Sequence, residues 1–215
     1  MAVTLALGNW QLDRASQKEQ LQSRLERLGR EPPVQLSAAP VRAQDLELRR
    51  VQVRGQFAAE ETIYIDNRVY QGRVGYYVVT PLRIENSDTY VLVNRGWVPG
   101  TGRRDVLPEV KTPSGPVVVT GIAVSGRERI MTLSANVMEG RVWQSLDIDR
   151  YREKVPFRLQ PIVVQQTSAS DDGLVRDWPR RDSGVERHKA YALQWFALSA
   201  TLLVLYIVLN AKRKV

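Results

Sequence analysis

The sequence predicts a mainly β protein of the α+β class: an antiparallel β barrel or sandwich domain outside the cytoplasm, with an N-terminal amphipathic helix and a C-terminal transmembrane helix. Three observations support this prediction: β-branched segments divided by turn residues, a leucine repeat of helical period near the start, and a long apolar run near the end. About seven short strands joined by turns favour an antiparallel arrangement, because a parallel sheet would need helices between its strands.

Leucines at helical spacing define the N-terminal helix. Leu21, Leu25 and Leu28 fall at i, i+4 and i+7 with polar residues between them, which predicts an amphipathic helix over residues 13–28 that ends at Gly29. We assign residues 9–30 to this helix and residues 1–8 to the remnant of a first transmembrane helix. Either Met1 is a start inside a longer first helix, which we favour, or the C-terminal helix inserts unaided.

The β-rich domain is assigned to residues 31–167. Its predicted strands lie at 48–57, 62–67, 72–84, 89–98, 115–124, 141–148 and 159–167, with a short helix around residues 147–155. Residues 168–187 are polar and contain proline and glycine, so we expect a connecting loop that leads to the membrane. Within it, Asp171 and Asp172 are expected to be solvated loop residues rather than a general acid and base.

A membrane anchor lies near the C-terminus. Residues 190–209 are interrupted only by Gln194, Ser199 and Thr201, and about 20 such residues span the roughly 30 Å hydrocarbon core of a bilayer. We assign residues 188–210 to the transmembrane helix and residues 211–215 to a basic tail, which favours the cytoplasmic side. The main domain is then expected on the periplasmic side of a bacterial inner membrane, with the C-terminus in the cytoplasm.

Composition excludes several kinds of site. The chain has no cysteine and one histidine, His188, which rules out thiolate sites, iron–sulfur ligation and multi-histidine zinc sites within one chain. The formal net charge is +8, but the basic residues are scattered, so we expect no nucleic-acid partner. The sequence contains neither a phosphate loop nor a hydrolytic triad, and we therefore do not expect an enzyme.

The segment "NRGWVPGTGRRD" has two readings. In one, it is a strand that ends in a turn, with Trp97 packed inside and the charges solvated. In the other, Arg95 and Trp97 form a recognition surface that offers a planar cation and a large amphipathic ring to a partner or a flat ligand. The residues alone favour the structural reading and leave the other open.

His188 also has two readings. A polar residue at the membrane surface is commonly an interfacial anchor, and the residues alone favour that role. The alternative is an axial ligand to haem iron, for which one neutral imidazole suffices. Arg187 and Lys189 could then pair with haem propionates, and Tyr191 and Trp195 could form an aromatic wall along the same helix.

Several segments together resemble the Surfeit locus protein 1 family of cytochrome c oxidase assembly factors. They are "LGNWQLDRASQKEQL", "YIDNRVYQGRVGYYVVTPL", "YVLVNRGWVP" and "ERHKAYALQWFALSATLLVLY", and the resemblance covers nearly the whole chain. The resemblance implies two membrane helices with the intervening domain outside the cytoplasm. It also implies haem a binding through a histidine at the second helix, which matches His188.

From this resemblance we expect a membrane-anchored chaperone that carries haem a transiently and aids its insertion into the oxidase catalytic subunit. His188 would hold the haem iron, with Arg187, Lys189, Tyr191 and Trp195 around the macrocycle. The expected partners are that subunit, haem a synthase and the lipid bilayer.

The alternative is a scaffold without a cofactor that grips the oxidase through its own surface. The candidate partner-binding residues are Asn94, Arg95, Trp97, Trp10 and Arg14.

Overall fold

The computed structural model describes residues 2–103, 106–126, 138–178 and 184–211. Among these residues the elements follow one another as α1 (Ala2–Arg30), β1 (Val34–Gln35), α2 (Ala43–Leu46), β2 (Arg50–Phe57), a 3-10 turn (Ala59–Glu61), β3 (Ile63–Tyr70), β4 (Arg73–Ile84), β5 (Thr89–Pro99), β6 (Val117–Ser125), β7 (Met138–Glu139), β8 (Val142–Trp143), α3 (Ile148–Arg152), β9 (Arg158–Gln166) and α4 (Val185–Ala211). Of the predicted basic tail, residues 211–215, only Ala211 is among the described residues.

The chain divides into two units, of which one contains Leu28–Trp178 and carries the strands. Five of these strands form a closed barrel in the order β2, β6, β9, β5 and β4, and the ring closes where β2 pairs with β4. Gly55 lies at this closure, where an added Cβ would come within 2.0 Å of the Arg83 carbonyl oxygen. A glycine is therefore required where the two backbones approach this closely.

Alternating aliphatic residues fill the barrel. The residues that share this core include Val51, Val53, Leu82, Val91, Val93, Val119, Ile162 and Val164. Strand β5 is buried on both faces, because Val91 and Val93 point into the barrel while Leu92 joins an outer cluster with Trp143 and Tyr151. Burying each such side chain contributes about 1.5–3 kcal/mol, so the sheet has a substantial core on either side.

Strand direction differs from the prediction in one respect. The sheet was expected to be antiparallel, but β9 runs parallel to β5, with Thr89 paired to Arg158. The connection from β5 to β9 passes through β6, β7, β8 and α3 and is long enough for the crossover that a parallel pair needs. The short pairs β1–β2 and β3–β8 are also parallel, so the sheet is mixed.

The N-terminal helix is present but longer than the leucine pattern predicts. It is continuous from Ala2 to Arg30, so the apolar start and the polar segment form one element. The predicted leucine stripe is not a buried face: Leu21 is 51% exposed, and Leu25 and Leu28 are only half-buried. The buried residues of α1 lie earlier, at Thr4, Gly8 and Ala15.

The second unit contains the two ends of the chain, Met1–Arg27 and Pro179–Val215, and α4 is its most apolar element. This helix has a mean hydropathy of 2.0 over its most apolar window, of which only 11% is buried. It is long and apolar enough to cross a membrane, and its apolar side chains are largely uncovered by the protein. Both properties support membrane association.

Candidate functional site

Helices α1 and α4 contact each other in antiparallel order. Gly8 lies against the ring of Phe196, Gln11 contacts His188, and Glu19 pairs with Lys189. A Cβ added at Gly8 would lie 2.6 Å from Cε1 of Phe196, so the missing side chain makes room for that ring. Small residues at such contacts allow helices in a membrane to pack closely.

The buried face of α4 has a seven-residue period. Val185, Ala192 and Ser199 are buried and lie two turns apart, and on α1 Gly8 and Ala15 show the same spacing. Residues seven apart lie on nearly the same side of a helix. Each helix therefore presents one stripe of mainly small residues.

His188 lies in the first turn of α4 and bonds to α1. Its Nδ1 is 2.6 Å from Oε1 of Gln11. An amide oxygen only accepts hydrogen bonds, so Nδ1 carries the proton and donates it. Nε2 is then the ring nitrogen with the free lone pair, and none of the described residues forms a hydrogen bond with it.

The residues near His188 on α4 lie on two sides of the helix. Tyr191 and Trp195 follow at i+3 and i+7 on the same side of the helix as His188, and Tyr191 is 46% exposed. Arg187, the residue before His188, lies on the same side of the helix as Tyr191 and is exposed. Lys189 lies on the opposite flank.

The Lys189 ammonium has partners of its own. Its Nζ lies 2.6 Å from Oε1 of Glu19 and 3.7 Å from Oε1 of Glu186. The structure therefore places Arg187, His188, Tyr191 and Trp195 along one side of α4, while it directs Lys189 to a carboxylate of α1.

Trp10 and Arg14, two candidate partner-binding residues, form an exposed pair on α1. Trp10 is 48% exposed, and the Arg14 guanidinium lies 5.6 Å from the centre of its ring. Arg14 also donates a hydrogen bond of 3.1 Å from Nη1 to Gln17 of the next turn. The pair is open to a partner, and its role stays a prediction.

The block from Asn94 to Trp97 is inside the barrel domain. The exposed fractions are 6% for Asn94, 0% for Arg95 and 5% for Trp97. Arg95 donates from Nη1 to the Thr112 hydroxyl and from Nη2 to the Lys111 carbonyl, each over 2.7 Å. The favoured interpretation, in which Trp97 packs inside, is therefore confirmed for Trp97, but the Arg95 charge is buried rather than solvated. The alternative of a partner surface at Arg95 and Trp97 is not supported, because both side chains serve the interior of their own domain.

Asp172 is the buried carboxylate beside Arg95, and the expectation that it is solvated is wrong. Its Oδ2 accepts hydrogen bonds from Arg95 at 3.0 Å and from Arg176 at 2.6 Å. Burial alone would raise the pKa of Asp172, but the hydrogen bonds and charge of Arg176, the Leu174 N–H and Arg95 hold this pKa below its ordinary value. Conversely, burial lowers the pKa of the Arg95 guanidinium, and the Asp172 carboxylate opposes that shift.

Trp97 also holds the segment around Asp172, through hydrogen bonds to Val175. Its backbone N–H and C=O both bond to Val175, at 2.7 and 2.9 Å. The indole N–H donates to the Arg68 carbonyl over 2.8 Å, and the ring lies 5.3 Å from that of Tyr70. We call the contacts of Arg95, Trp97, Asp172, Val175 and Arg176 the latch, because they hold residues 172–176 against the barrel.

Sequence reasoning missed Gln11 and Asp172. A glutamine on a helix and an aspartate in a polar loop are ordinary surface residues, and only the apolar pair Leu174 and Val175 hinted that the loop packs against the domain. No three histidine, cysteine or acidic side chains come together as a metal site in the described part of the chain. A single neutral imidazole such as that of His188 can ligate a metal through one ring nitrogen.

Comparison with known proteins gives one consistent family. The SURF1 family model matches residues 1–200. A SURF1-like protein of Rickettsia felis is 26% identical over 212 residues, which cover 96% of this chain and 91% of that protein. Surfeit locus protein 1 of Rattus norvegicus is 30% identical over 218 residues, covering 93% and 69%, and a SURF1-like protein of Drosophila melanogaster is 31% identical over 244 residues, covering 99% and 75%.

Proposed function

Because the chain belongs to the SURF1 family, we propose that it is a membrane-anchored assembly factor for haem-copper cytochrome c oxidase. In this role it binds haem a transiently and aids the insertion of haem a into the catalytic subunit. The observation that supports this role is the His188 ring, whose Nδ1 is bonded to Gln11 and whose Nε2 has no hydrogen-bond partner among the described residues.

The residues around His188 fit a haem cargo. Iron needs one imidazole nitrogen with a free lone pair, which Nε2 supplies. Tyr191 and Trp195, on the same side of α4, offer aromatic surface for a macrocycle. Arg187 is exposed on that side and suits a propionate. Lys189, already paired with Glu19, is the less suitable of the two flanking cations.

A membrane location suits this cargo. Haem a is lipid-soluble, and His188 lies in the first turn of a helix that is long and apolar enough to cross a bilayer. The cations Lys212, Arg213 and Lys214 follow that helix and favour a cytoplasmic C-terminus, which would place the domain on the periplasmic side of a bacterial inner membrane. The proposed partners are the oxidase catalytic subunit, haem a synthase and the bilayer.

The proposed role contains no bond-making step. A carrier must hold its cargo and then release it, and a single imidazole ligand at a membrane surface suits both demands. In the scaffold alternative, Arg95 and Trp97 were two of the candidate contact residues. Because both are buried, Trp97→Ala is expected to act through loss of folding rather than loss of a partner.

The test uses the full chain produced in a bacterium that makes haem a. Visible spectra are recorded for the purified wild type, for His188→Ala and for Leu193→Ala, a control on another face of α4 whose side chain is 71% exposed. We expect a stoichiometric haem a spectrum in the wild type and in Leu193→Ala, and its loss in His188→Ala. A folded but colourless wild type would overturn the proposal.

A further inference from the structure

We infer that Gln11 is a positioning residue for His188: its side-chain oxygen holds the imidazole in the tautomer that presents a bare Nε2 to the iron. The inference rests on the proposed function, since it assigns Gln11 a role toward the same cargo. It adds a residue of α1 to a site whose other members lie on α4.

The hydrogen bond between His188 and Gln11 determines which ring nitrogen carries the proton. The distance of 2.6 Å from Nδ1 of His188 to Oε1 of Gln11 is short for a nitrogen donor. A neutral imidazole can carry its proton on either nitrogen, and the hydrogen bond made by one nitrogen decides which of them is free. With Nδ1 donating to Gln11, only Nε2 retains a lone pair.

The helices on both sides of this bond hold it in place. On α1, Gly8 lies against Phe196 one turn before Gln11, and Glu19 pairs with Lys189 two turns after it. The His188 backbone N–H donates to the Gly184 carbonyl over 3.2 Å. Contacts before and after Gln11 therefore fix α1 against α4 at the level of the ring.

The chemistry of the acceptor suits a carrier. Histidines that bind metals usually donate their other ring N–H to a carboxylate, a carbonyl or water, which orients the ring and raises its basicity as a ligand. A neutral amide orients the ring as a carboxylate would, but adds no full negative charge to its surroundings. Gln11 can therefore select the tautomer without making the ligand as strongly basic as a carboxylate would.

The test reads the tautomer in the protein without haem. His188 is the only histidine, so the full chain is labelled with ¹⁵N-histidine, purified in detergent without a polyhistidine tag, and its ring nitrogen shifts are recorded by NMR. We compare the wild type with Gln11→Leu, with Gln11→Glu, which keeps an acceptor, and with Gln22→Leu, a control at an exposed glutamine of the same helix. Circular dichroism checks that each variant retains its helices. Each sample is then titrated with haem a.

We expect a ring protonated at Nδ1 in the wild type, Gln11→Glu and Gln22→Leu, and a shift toward the other tautomer in Gln11→Leu. Haem a affinity should fall about 10–100-fold in Gln11→Leu and return in Gln11→Glu. If Gln11→Leu keeps the wild-type tautomer or the wild-type affinity, the inference is overturned while the haem role stands. A wild type with the expected tautomer that takes up no haem a would overturn the proposed function, and with it the purpose assigned to Gln11.

Discussion

At the scale of the residue, the unusual group is Asp172, a carboxylate between two arginines in the interior. Its side chain is 1% exposed, and that of Arg95 is 0% exposed. A buried pair contributes little compared with well-packed apolar groups, but removal of one partner leaves a charge without compensation. The latch is therefore sensitive to loss of a single member.

Asp172→Asn is expected to destabilise the barrel domain by about 3–5 kcal/mol, because Arg95 keeps its charge without a counter-ion. The matched control is Asp171→Asn, since Asp171 is fully exposed and, among the residues that the structure describes, pairs only with the exposed Lys111 at 3.3 Å. That control should change stability by less than about 1 kcal/mol. Urea unfolding of the full chain followed by tryptophan fluorescence measures both, and equal losses would contradict a structural role for the buried pair.

The same carboxylate predicts a pH dependence. In the folded protein the pKa of Asp172 lies below its ordinary value of 3.8. As the pH falls, Asp172 is therefore protonated at a higher pH in the unfolded chain than in the folded protein. Its contribution to stability is complete above that ordinary value and is lost as the pH drops through the folded pKa. Unfolding curves at a series of acidic pH values should show a steeper decline in the wild type than in Asp172→Asn, and parallel declines would contradict the assignment.

At the scale of the element, the pairing of α1 and α4 depends on a small residue at position 8. Phe196 occupies the space beside Gly8, so a large side chain would have to displace that ring. The displacement would also affect Gln11 and His188, which lie next along the two helices. Helix packing and the histidine site are therefore coupled.

Gly8→Leu is expected to weaken the helix pair by about 1–3 kcal/mol through overpacking. Ala6→Leu is the matched control, because Ala6 is exposed on the same stretch of α1 and gains similar bulk. Thermal unfolding in detergent, followed by circular dichroism, should give a lower midpoint for Gly8→Leu alone. Equal midpoints would show that the contact with Phe196 does not set the packing.

At the scale of the whole molecule, the chain divides into two compact units. The unit from Leu28 to Trp178 contains the closed barrel, its core clusters and the latch. The unit formed by the chain ends contains the histidine site. Because the five barrel strands all lie between Arg50 and Gln166, the barrel should not depend on α4 for its fold.

A fragment of residues 28–178 is expected to fold without α4, as judged by dispersed amide NMR signals and a cooperative urea transition. A fragment of residues 28–167 keeps all five barrel strands but loses Asp172, Val175 and Arg176. It should be less stable by several kcal/mol, about the cost of leaving Arg95 unpaired. If the fragment of residues 28–178 were compact but unfolded in urea without a cooperative transition, the barrel would need the helix pair.

Much of the barrel could be predicted from local pattern. Strand β2 was expected over residues 48–57 and spans Arg50–Phe57, because Val51 and Val53 alternate with polar residues and every second position faces the core. The direction of β9 could not be predicted in this way. Alternation determines which side chains point inward and carries no information on which neighbour the strand joins.

The contacts of the candidate site depend on the tertiary fold. Gln11 and His188 are 177 residues apart, and Arg95 and Asp172 are 77 apart. Each of these residues has an ordinary surface role when its own neighbours alone are considered. The histidine was recognisable because it is unique and lies near the start of a membrane-length helix, whereas its partner becomes apparent only when α1 and α4 are packed together.

The placement of β9 has a consequence for the order in which the protein is made. In the closed ring, β9 lies between β5 and β6 and pairs with both. Until the ribosome has synthesised residues as far as Gln166, β5 and β6 each have an unpaired edge, and such edges invite association with other chains. Closure can therefore occur only late in synthesis, and the growing chain exposes two open strand edges until β9 arrives.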